Sequence, residues 1–312
     1  MDKSARHPAG RPNPLTTIGP VQTLTLLAAP DRADLTDAAL AEVARTWPVD
    51  GPRWLAPGVA LEADLHRIPE DLWEAWAAWQ DRGVDLVVQP AAGRRKQVLL
   101  ADMDSTMIEQ ECIDELAHHA GVGDRVAAIT ARAMDGQLDF AQALAERVAL
   151  LTDLDAGVIA TVVAERISLA PGGRELVATM RAHGAWTALV SGGFTQFTEV
   201  IAERLGFDEH RANVLDVRDG RLSGTVVPPV VGQEAKVEAL REITARLGVT
   251  PEQAVAVGDG ANDLGMITLA GLGVALHAKP SVAAQSRVRV NHGDLTAVLY
   301  LQGYSAEEIV RP

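Results

Sequence analysis

Cysteine is nearly absent from this 312-residue sequence, in which Cys112 stands alone. One thiol excludes an internal disulfide and suits a reducing compartment such as the cytoplasm. The residue reads as a small buried apolar side chain rather than a reactive thiol. Long apolar runs are also missing, and none approaches the roughly 20 residues that span a bilayer. Near the N-terminus Lys3, Arg6 and Arg11 are followed by no apolar stretch, and Pro8, Pro12 and Pro14 interrupt the segment, so no secretory signal is expected. Positive charge is short: 28 Lys and Arg stand against 42 Asp and Glu, for a formal net charge of −14. That balance excludes a nucleic-acid backbone binder. It admits an anionic small molecule only where local cations or a metal ion reverse the field. Apolar residues are plentiful, at 47%. A chain of this length and content can bury a sizeable core and form about two domains.

Residues 1–19 are rich in Pro, Gly, Ser and Asn and read as a disordered tail. Residues 20–92 follow the order β-α-β-β-α-β, the split-βαβ, ferredoxin-like pattern. Residues 21–28 alternate as a strand, and 34–47 place Leu35, Ala39, Leu40 and Val43 on one side of a helix. Residues 54–55 and 59–65 are two strands turned at Pro57-Gly58, 69–80 a second helix and 84–88 a last strand. Asp31-Arg32-Ala33-Asp34-Leu35-Thr36 resembles the strand-to-helix turn of ACT-type regulatory modules, with Ala33-Asp34 where those carry Pro-Gly. Lacking that glycine, the backbone loses a close approach to a ligand. The module therefore reads as degenerate and ACT-like, structural or dimerising, compatible with a homodimer. Trp73, Trp76 and Trp79 read as a packing face, and Gly93-Arg94-Arg95-Lys96 as a solvated linker.

Val98-Leu99-Leu100-Ala101 is a short buried strand. Residues 97–106 open a catalytic α/β core that 169–312 complete. Between them, 107–168 carry four helical apolar stripes, read as a cap inserted over the strand end to exclude water. Beyond 169, strands and helices alternate, which predicts a doubly wound parallel sheet, with a hairpin around Asp219-Gly220. Ligands in such sheets gather beyond the carboxyl ends of the strands. Three polar loops follow strands here.

The first of these loops begins Asp102-Met103-Asp104. Carboxylates two residues apart repel, and partial burial disfavours both charges. A divalent cation or a proton on one of them resolves the conflict, and phosphate-ester chemistry uses both. Asp102, ionised at neutral pH, can attack phosphorus and form an aspartyl-phosphate. Mg²⁺ would offset its repulsion from an anionic phosphate. Asp104 can protonate the departing alkoxide and then deprotonate the hydrolytic water, and Thr106 can donate to a phosphoryl oxygen. Ser191 and Gly192 offer a hydroxyl and amides for phosphate, Lys236 a neutralising charge, and Asp259 a metal oxygen with Asn262 and Asp263 behind it. Each piece alone is an ordinary turn or surface lysine. Their joint occurrence, in order and at element boundaries, carries the reading.

The set resembles the haloacid dehalogenase superfamily of phosphatases across about residues 97–295, and most closely its phosphoserine-hydrolysing members. The resemblance rests on Asp102-Met-Asp-Ser-Thr, Glu111-Cys-Ile-Asp-Glu, Ala133-Met134-Asp-Gly, Leu138-Asp-Phe140, Arg147-Val, Ser191-Gly-Gly-Phe194, Gly258-Asp-Gly-Ala-Asn-Asp263 and His277-Ala-Lys-Pro280. It implies Asp102 as nucleophile and Asp104 as general acid/base. It implies Mg²⁺ on the side chains of Asp102 and Asp259 and the main-chain carbonyl of Asp104, with phosphate on Ser191, Gly192 and Lys236. Asn262 and Asp263 would support the metal and Lys236. Glu111 would meet a substrate ammonium and Arg147 a carboxylate, between walls of Met134 and Phe140. The implied reaction is hydrolysis of O-phospho-L-serine, the last step of serine biosynthesis. Independently of the resemblance, Phe140, Leu144, Arg147 and Leu151 share one helical face, and an arginine there suits bidentate capture of a carboxylate. Two alternatives stay open at this point. One is a phosphatase or phosphotransferase acting on another small amino-acid phosphate. The other is a stable aspartate phosphoacceptor, to which Asp104 would bring nothing.

Overall fold

The structure is a computed structural model and describes residues 21–134 and 137–312, apart from the side chain of Met134. The tail at 1–19 and the wall role read for Met134 lie outside the described residues.

Two sheets organise the chain. The first comprises β1 (Gln22–Ala28), α1 (Asp37–Thr46), β2 (Val49–Ala56), β3 (Ala60–Leu65), α2 (Leu72–Asp81) and β4 (Val84–Pro90). Its strands are antiparallel in the order β2-β3-β1-β4. Period-two alternation puts Leu24, Leu26, Leu61 and Leu65 on one face, where they pack with Val43, Trp47 and Trp79 of the helix side. The expected tryptophan face is only partly buried: Trp79 lies in the core, whereas Trp73 is 61% exposed, edge-on to Trp76. In the ACT-like turn Ala33 takes the left-handed backbone (φ 44°). The Arg32 guanidinium fills the space beside it, donating to the carbonyls of Arg82 and Gly83 and pairing with Asp34.

The basic linker, expected to be solvated, is only partly so: Arg95 stays 47% exposed, while each of its basic side chains also finds a partner. Arg94 is buried against Glu62 at 2.6 Å, Arg95 pairs with Glu308 over the Tyr304 ring, and Lys96 donates to the carbonyls of Gly93 and Glu252. Apart from Gly93, its partners come from three distant segments, so a local reading of the four residues could not find them.

Next come β5 (Val98–Ala101) and four helices, α3 (Cys112–His119), α4 (Gly123–Met134), α5 (Phe140–Ala149) and α6 (Val158–Glu165). They are followed by α7 (Gly173–Ala182), β6 (Trp186–Phe194), α8 (Thr195–Leu205), β7 (Glu209–Arg218), β8 (Arg221–Val227), α9 (Gln233–Arg246) and β9 (Ala254–Gly258). The chain ends with α10 (Leu264–Leu269), β10 (Leu272–Leu276), α11 (Pro280–Ala283), β11 (Val288–Val290) and α12 (Ala297–Leu301). The second sheet has the order β11-β10-β9-β5-β6-β7-β8. Its first six strands are parallel, while β8 runs antiparallel as a hairpin edge. Alternation along β5 sends Val98 and Leu100 toward Leu240 and Ile243 of α9, and Leu99 and Ala101 into the core on the opposite face with Leu176, Ile201 and Val298. A near-continuous apolar strand is what burial on both faces requires.

Where β5 ends, the chain leaves the sheet for α3–α6 and comes back beside itself. Ile108 bridges Leu169, Glu109 N–H donates to the Ser168 carbonyl (3.1 Å) and Ala170 N–H to that of Met107 (3.0 Å). No helix among the described residues is long and apolar enough to cross a membrane.

Candidate active site

The loops after β5, β6, β9 and β10 meet beyond the carboxyl ends of the strands, where α3 and α5 cover them. They enclose a cleft of about 160 Å³ lined by Asp102, Asp104, Glu111, Phe140, Arg147, Gly192, Asp259, Asn262 and Lys279, among others.

Asp102 is the first residue after β5. Its N–H donates to the Val257 carbonyl (3.0 Å), continuing the ladder one step past the strand and fixing the residue at the sheet end. Its Oδ1 accepts from Met103 N–H (2.7 Å) and lies 2.6 Å from Lys236 Nζ. Lys236, on the first turns of α9, is fully buried and equally close to Asp263 Oδ1 (2.6 Å). Burial alone would push its ammonium down, but the two carboxylates outweigh that and hold it above its ordinary value. Burial drives the Asp102 carboxyl well up, the Asp263 charge adds to this, and Lys236 opposes it.

Asp104 points elsewhere. Its Oδ1 accepts from Cys112 N–H (3.0 Å) at the start of α3, and its Oδ2 accepts from Ser191 Oγ (3.3 Å). Burial raises its pKa, with the Cys112 and Ser191 donors in opposition. Ser105 bends the chain after it in the left-handed region (φ 54°). The close approach of Asp104 also explains a glycine: a Cβ on Gly193 would lie 2.5 Å from Asp104 Oδ2.

Asp259 follows β9. Burial and then the Asp263 charge raise its carboxyl to about 6. Thr106 donates to its Oδ1 (3.2 Å). The Thr106 hydroxyl, read from sequence as a phosphate donor, is directed to Asp259 in the structure. Asp263 is saturated: its Oδ2 accepts from the amides of Asp259 (3.1 Å) and Gly260 (2.9 Å), and its Oδ1 faces Lys236. Gly258 is needed for this fold-back, since an added Cβ would sit 2.4 Å from Asp263 Cγ. Carboxylate oxygens of Asp102, Asp259 and Asp263 lie within 4.8 Å of one another. An all-oxygen, strongly anionic set suits a hard divalent cation. Both Asp263 oxygens accept from N–H donors. The Asp104 carboxylate is directed instead to Cys112 and Ser191.

At the opposite end, Asp139 caps α5 through a reciprocal box with Gln142, which fixes Phe140 and Arg147 one above the other on the helix. Phe140 packs over two glycines, and a Cβ would meet its ring at 3.0 Å from Gly192 and 3.2 Å from Gly232. Arg147 donates to the Ala143 carbonyl (3.2 Å) through Nε and is placed among the charges of Asp114, Glu111 and Asp104. Glu111 is the residue before α3, yet its side chain does not cap the helix. It accepts from Ser105 Oγ (2.9 Å), and burial followed by the Asp104 charge raises it to about 7.

The cleft thus gathers Asp102, Asp104, Glu111, Phe140, Arg147, Gly192, Asp259 and Asn262 along its lining, with Ser191, Lys236, Thr106 and Asp263 directly behind. Sequence reasoning assigned no role to Lys279, which follows β10 and sits 3.9 Å from Asp259 Oδ2. A signal existed, since β10 is a fourth strand ending in a polar loop.

The haloacid dehalogenase-like hydrolase family model matches residues 99–268. The chain is 47% identical over 229 residues to a phosphoserine phosphatase of Streptomyces coelicolor, a match covering 73% of this chain and 56% of that protein. It spans 56–65% of the length of the first curated relatives it matches. Among solved structures, a probable phosphoserine phosphatase from Vibrio cholerae superposes with a TM-score of 0.75 at 32% identity, covering 92% of this chain and 88% of that one. A phospho-aspartyl intermediate analogue of phosphoserine phosphatase superposes with a TM-score of 0.62 at 40% identity, covering 66% of this chain and 98% of that one. From its strand-end carboxylates to its sheet order, this chain belongs to the haloacid dehalogenase-like hydrolase family.

Proposed function

We propose that the chain is a Mg²⁺-dependent phosphoserine phosphatase of the cytoplasm, hydrolysing O-phospho-L-serine to L-serine and phosphate in the last step of serine biosynthesis. One observation carries the substrate: a single cleft holds a carboxylate pair with a buried lysine at one end and an acid with an arginine at the other. Phosphoserine is a dianionic phosphate joined by one methylene to a carbon bearing an ammonium and a carboxylate. Glu111 faces the ammonium, Arg147 the carboxylate, and Phe140 covers the methylene. The similarity to proteins named phosphoserine phosphatase supports the same reading.

Bound to Asp102, Asp259 and the Asp104 carbonyl, Mg²⁺ would supply charge that lets an anionic carboxylate meet an anionic phosphate. The chain's own groups do the rest. Lys236 and the Met103 amide orient the Asp102 carboxylate. An Asp102 oxygen attacks phosphorus as the seryl C–O–P linkage breaks at P–O. Asp104 passes its proton to the departing seryl oxygen. Serine leaves, and Asp104, now ionised, takes a proton from water as that water attacks the aspartyl-phosphate. Phosphate departs and both carboxyl groups return to their starting states. Phosphate oxygens rest on the Gly192 amide, the Ser191 hydroxyl and Lys236. The helices α3–α6, acting as the cap over residues 107–168, keep other water out.

Phosphate release from L-phosphoserine tests the reading, alongside glycerol phosphate, phosphothreonine, phosphoethanolamine and an aryl phosphate. The expected result is a strong preference for phosphoserine that EDTA abolishes and Mg²⁺ restores. Activity confined to other esters would leave Asp102 and Asp104 in their roles and remove Glu111 and Arg147 from theirs.

A further inference from the structure

We infer that Asp85, on the first sheet, is a positioning residue for Lys279 in the cleft of the second, acting through the loop at 291–293 and His277.

Asp85, the second residue of β4, is fully buried. It faces away from its own sheet's core and toward the end of β11. Four N–H donors converge on its carboxylate. Oδ1 accepts from the Asn291 amide (2.9 Å) and Gln80 Nε2 (3.1 Å). Oδ2 accepts from the amides of His292 (2.9 Å) and Gly293 (3.0 Å). Three successive amides turned to one point form a concave anion seat, and here the anion is a side chain from more than 200 positions earlier. A buried carboxylate is tolerable only with donors of this kind, so the two sheets are locked in one arrangement at this point.

The seat leads on toward the cleft. The Gly293 carbonyl accepts from His277 Nε2 (2.8 Å), so that nitrogen carries the ring proton. The His277 amide donates to the Val290 carbonyl (2.8 Å). Held at ring and backbone, His277 occupies the left-handed region (φ 45°), which costs a non-glycine residue energy unless its surroundings fix it. The turn it makes brings the Lys279 amide to the Asp259 carbonyl (3.2 Å) and the Lys279 ammonium to 3.9 Å from Asp259 Oδ2. Loss of the Asp85 carboxylate frees 291–293, then His277, then the cation that faces an incoming dianion.

The test uses the full-length chain, and only its kinetic arm rests on the function proposed above. Without substrate, amide hydrogen exchange is followed in the segment containing 277–280. Asp85→Asn puts an NH₂ donor among the converging amides, and exchange at His277 and Lys279 is expected to accelerate by about 10-fold or more, while β5 and β6 are unaffected. Gln89→Ala is the control. It cuts another buried bond from β4, Gln89 Nε2 to the Leu301 carbonyl of α12 (2.6 Å), without touching 291–293, and is expected to leave 277–280 unchanged. In turnover, Asp85→Asn is expected to raise the phosphoserine KM about 5-fold with kcat within about 2-fold. The double variant with Lys279→Ala should show no rise beyond that of Lys279→Ala alone. Should Asp85→Asn fail to fold, His277→Ala cuts the next link and is expected to produce the same exchange and KM changes. The inference is overturned by unchanged exchange at 277–280 in the folded variant, by equal acceleration in Gln89→Ala, or by additive KM effects of Asp85→Asn and Lys279→Ala. Failure of wild-type protein to hydrolyse phosphoserine overturns the proposed function instead, and leaves the exchange result to decide this one.

Discussion

Lys236 and Asp102 form a 2.6 Å ion pair in which the ammonium is fully buried and the carboxylate is 5% exposed. Asp263 holds the same ammonium from another side, also at 2.6 Å. One cation therefore serves two carboxylates, and the group of three carries a negative charge before substrate arrives. That surplus is what a divalent cation would neutralise.

Replacing Lys236 with Met should strip both carboxylates of their counter-charge while keeping the side-chain volume. Breaking a buried pair in this way costs about 3–5 kcal/mol. Urea unfolding in EDTA would measure it. Adding Asp102→Asn to Lys236→Met should recover part of the loss, because one of the two stranded charges is then gone.

Asp102→Asn alone should lower phosphate release by at least about 10³-fold, since an amide oxygen is a poor nucleophile toward phosphorus. The fold should survive, because the Val257 and Met103 contacts of residue 102 involve the backbone and an oxygen that Asn retains. Near-normal phosphate release by a folded variant would remove Asp102 from the nucleophile's role.

Arg147→Ala should raise KM for phosphoserine by roughly 10- to 100-fold, the range of one charge-assisted contact. An aryl phosphate has no carboxylate to lose, so its KM should move little. Equal rises for both substrates would place Arg147 outside carboxylate recognition.

Glu111 gives a pH dependence of stability with a definite sign. Its carboxyl is raised from 4.5 to about 7, chiefly by burial and next by Asp104. The unfolded chain ionises first as pH climbs, so the folded state loses stability between about pH 4.5 and 7 and keeps that deficit above it. The loss approaches about 3 kcal/mol. Glu111→Gln removes it, so the variant should match wild type near pH 4 and exceed it near pH 8. Urea midpoints of metal-free protein across that interval check this. A constant difference at all pH values would show that Glu111 does not titrate in the window.

Much of the site was legible because each part sits where an apolar strand gives way to a polar loop. Val98 to Ala101 leads into Asp102, and Ala254 to Gly258 into Asp259, so four- and five-residue apolar runs marked the sheet ends directly. Other features depend on distant partners. Thr106 reads as a phosphate donor, and nothing local announces its hydrogen bond to Asp259, 153 positions later. Arg94 looked solvated because nothing nearby in the chain announces Glu62. The Asp85 seat had a local sign, an acid inside a run of strand formers, but the amides that answer it lie on the far edge of the other sheet. The edge strand β8 was read as part of a hairpin, and its antiparallel pairing follows from the tight Asp219-Gly220 turn.

The paired crossing at Ile108 and Leu169 has a consequence for how such a protein can change. Its two ends enter and leave the helical segment one strand spacing apart, roughly 5 Å. A segment with ends that close can be exchanged as a cassette, since any insert with equally close ends closes the same gap. Recombination between residues 108 and 169 would exchange Glu111, Phe140 and Arg147 together while the loops after β5, β6 and β9 stayed as they are. The covering helices and the strand-end loops can thus diversify on separate histories.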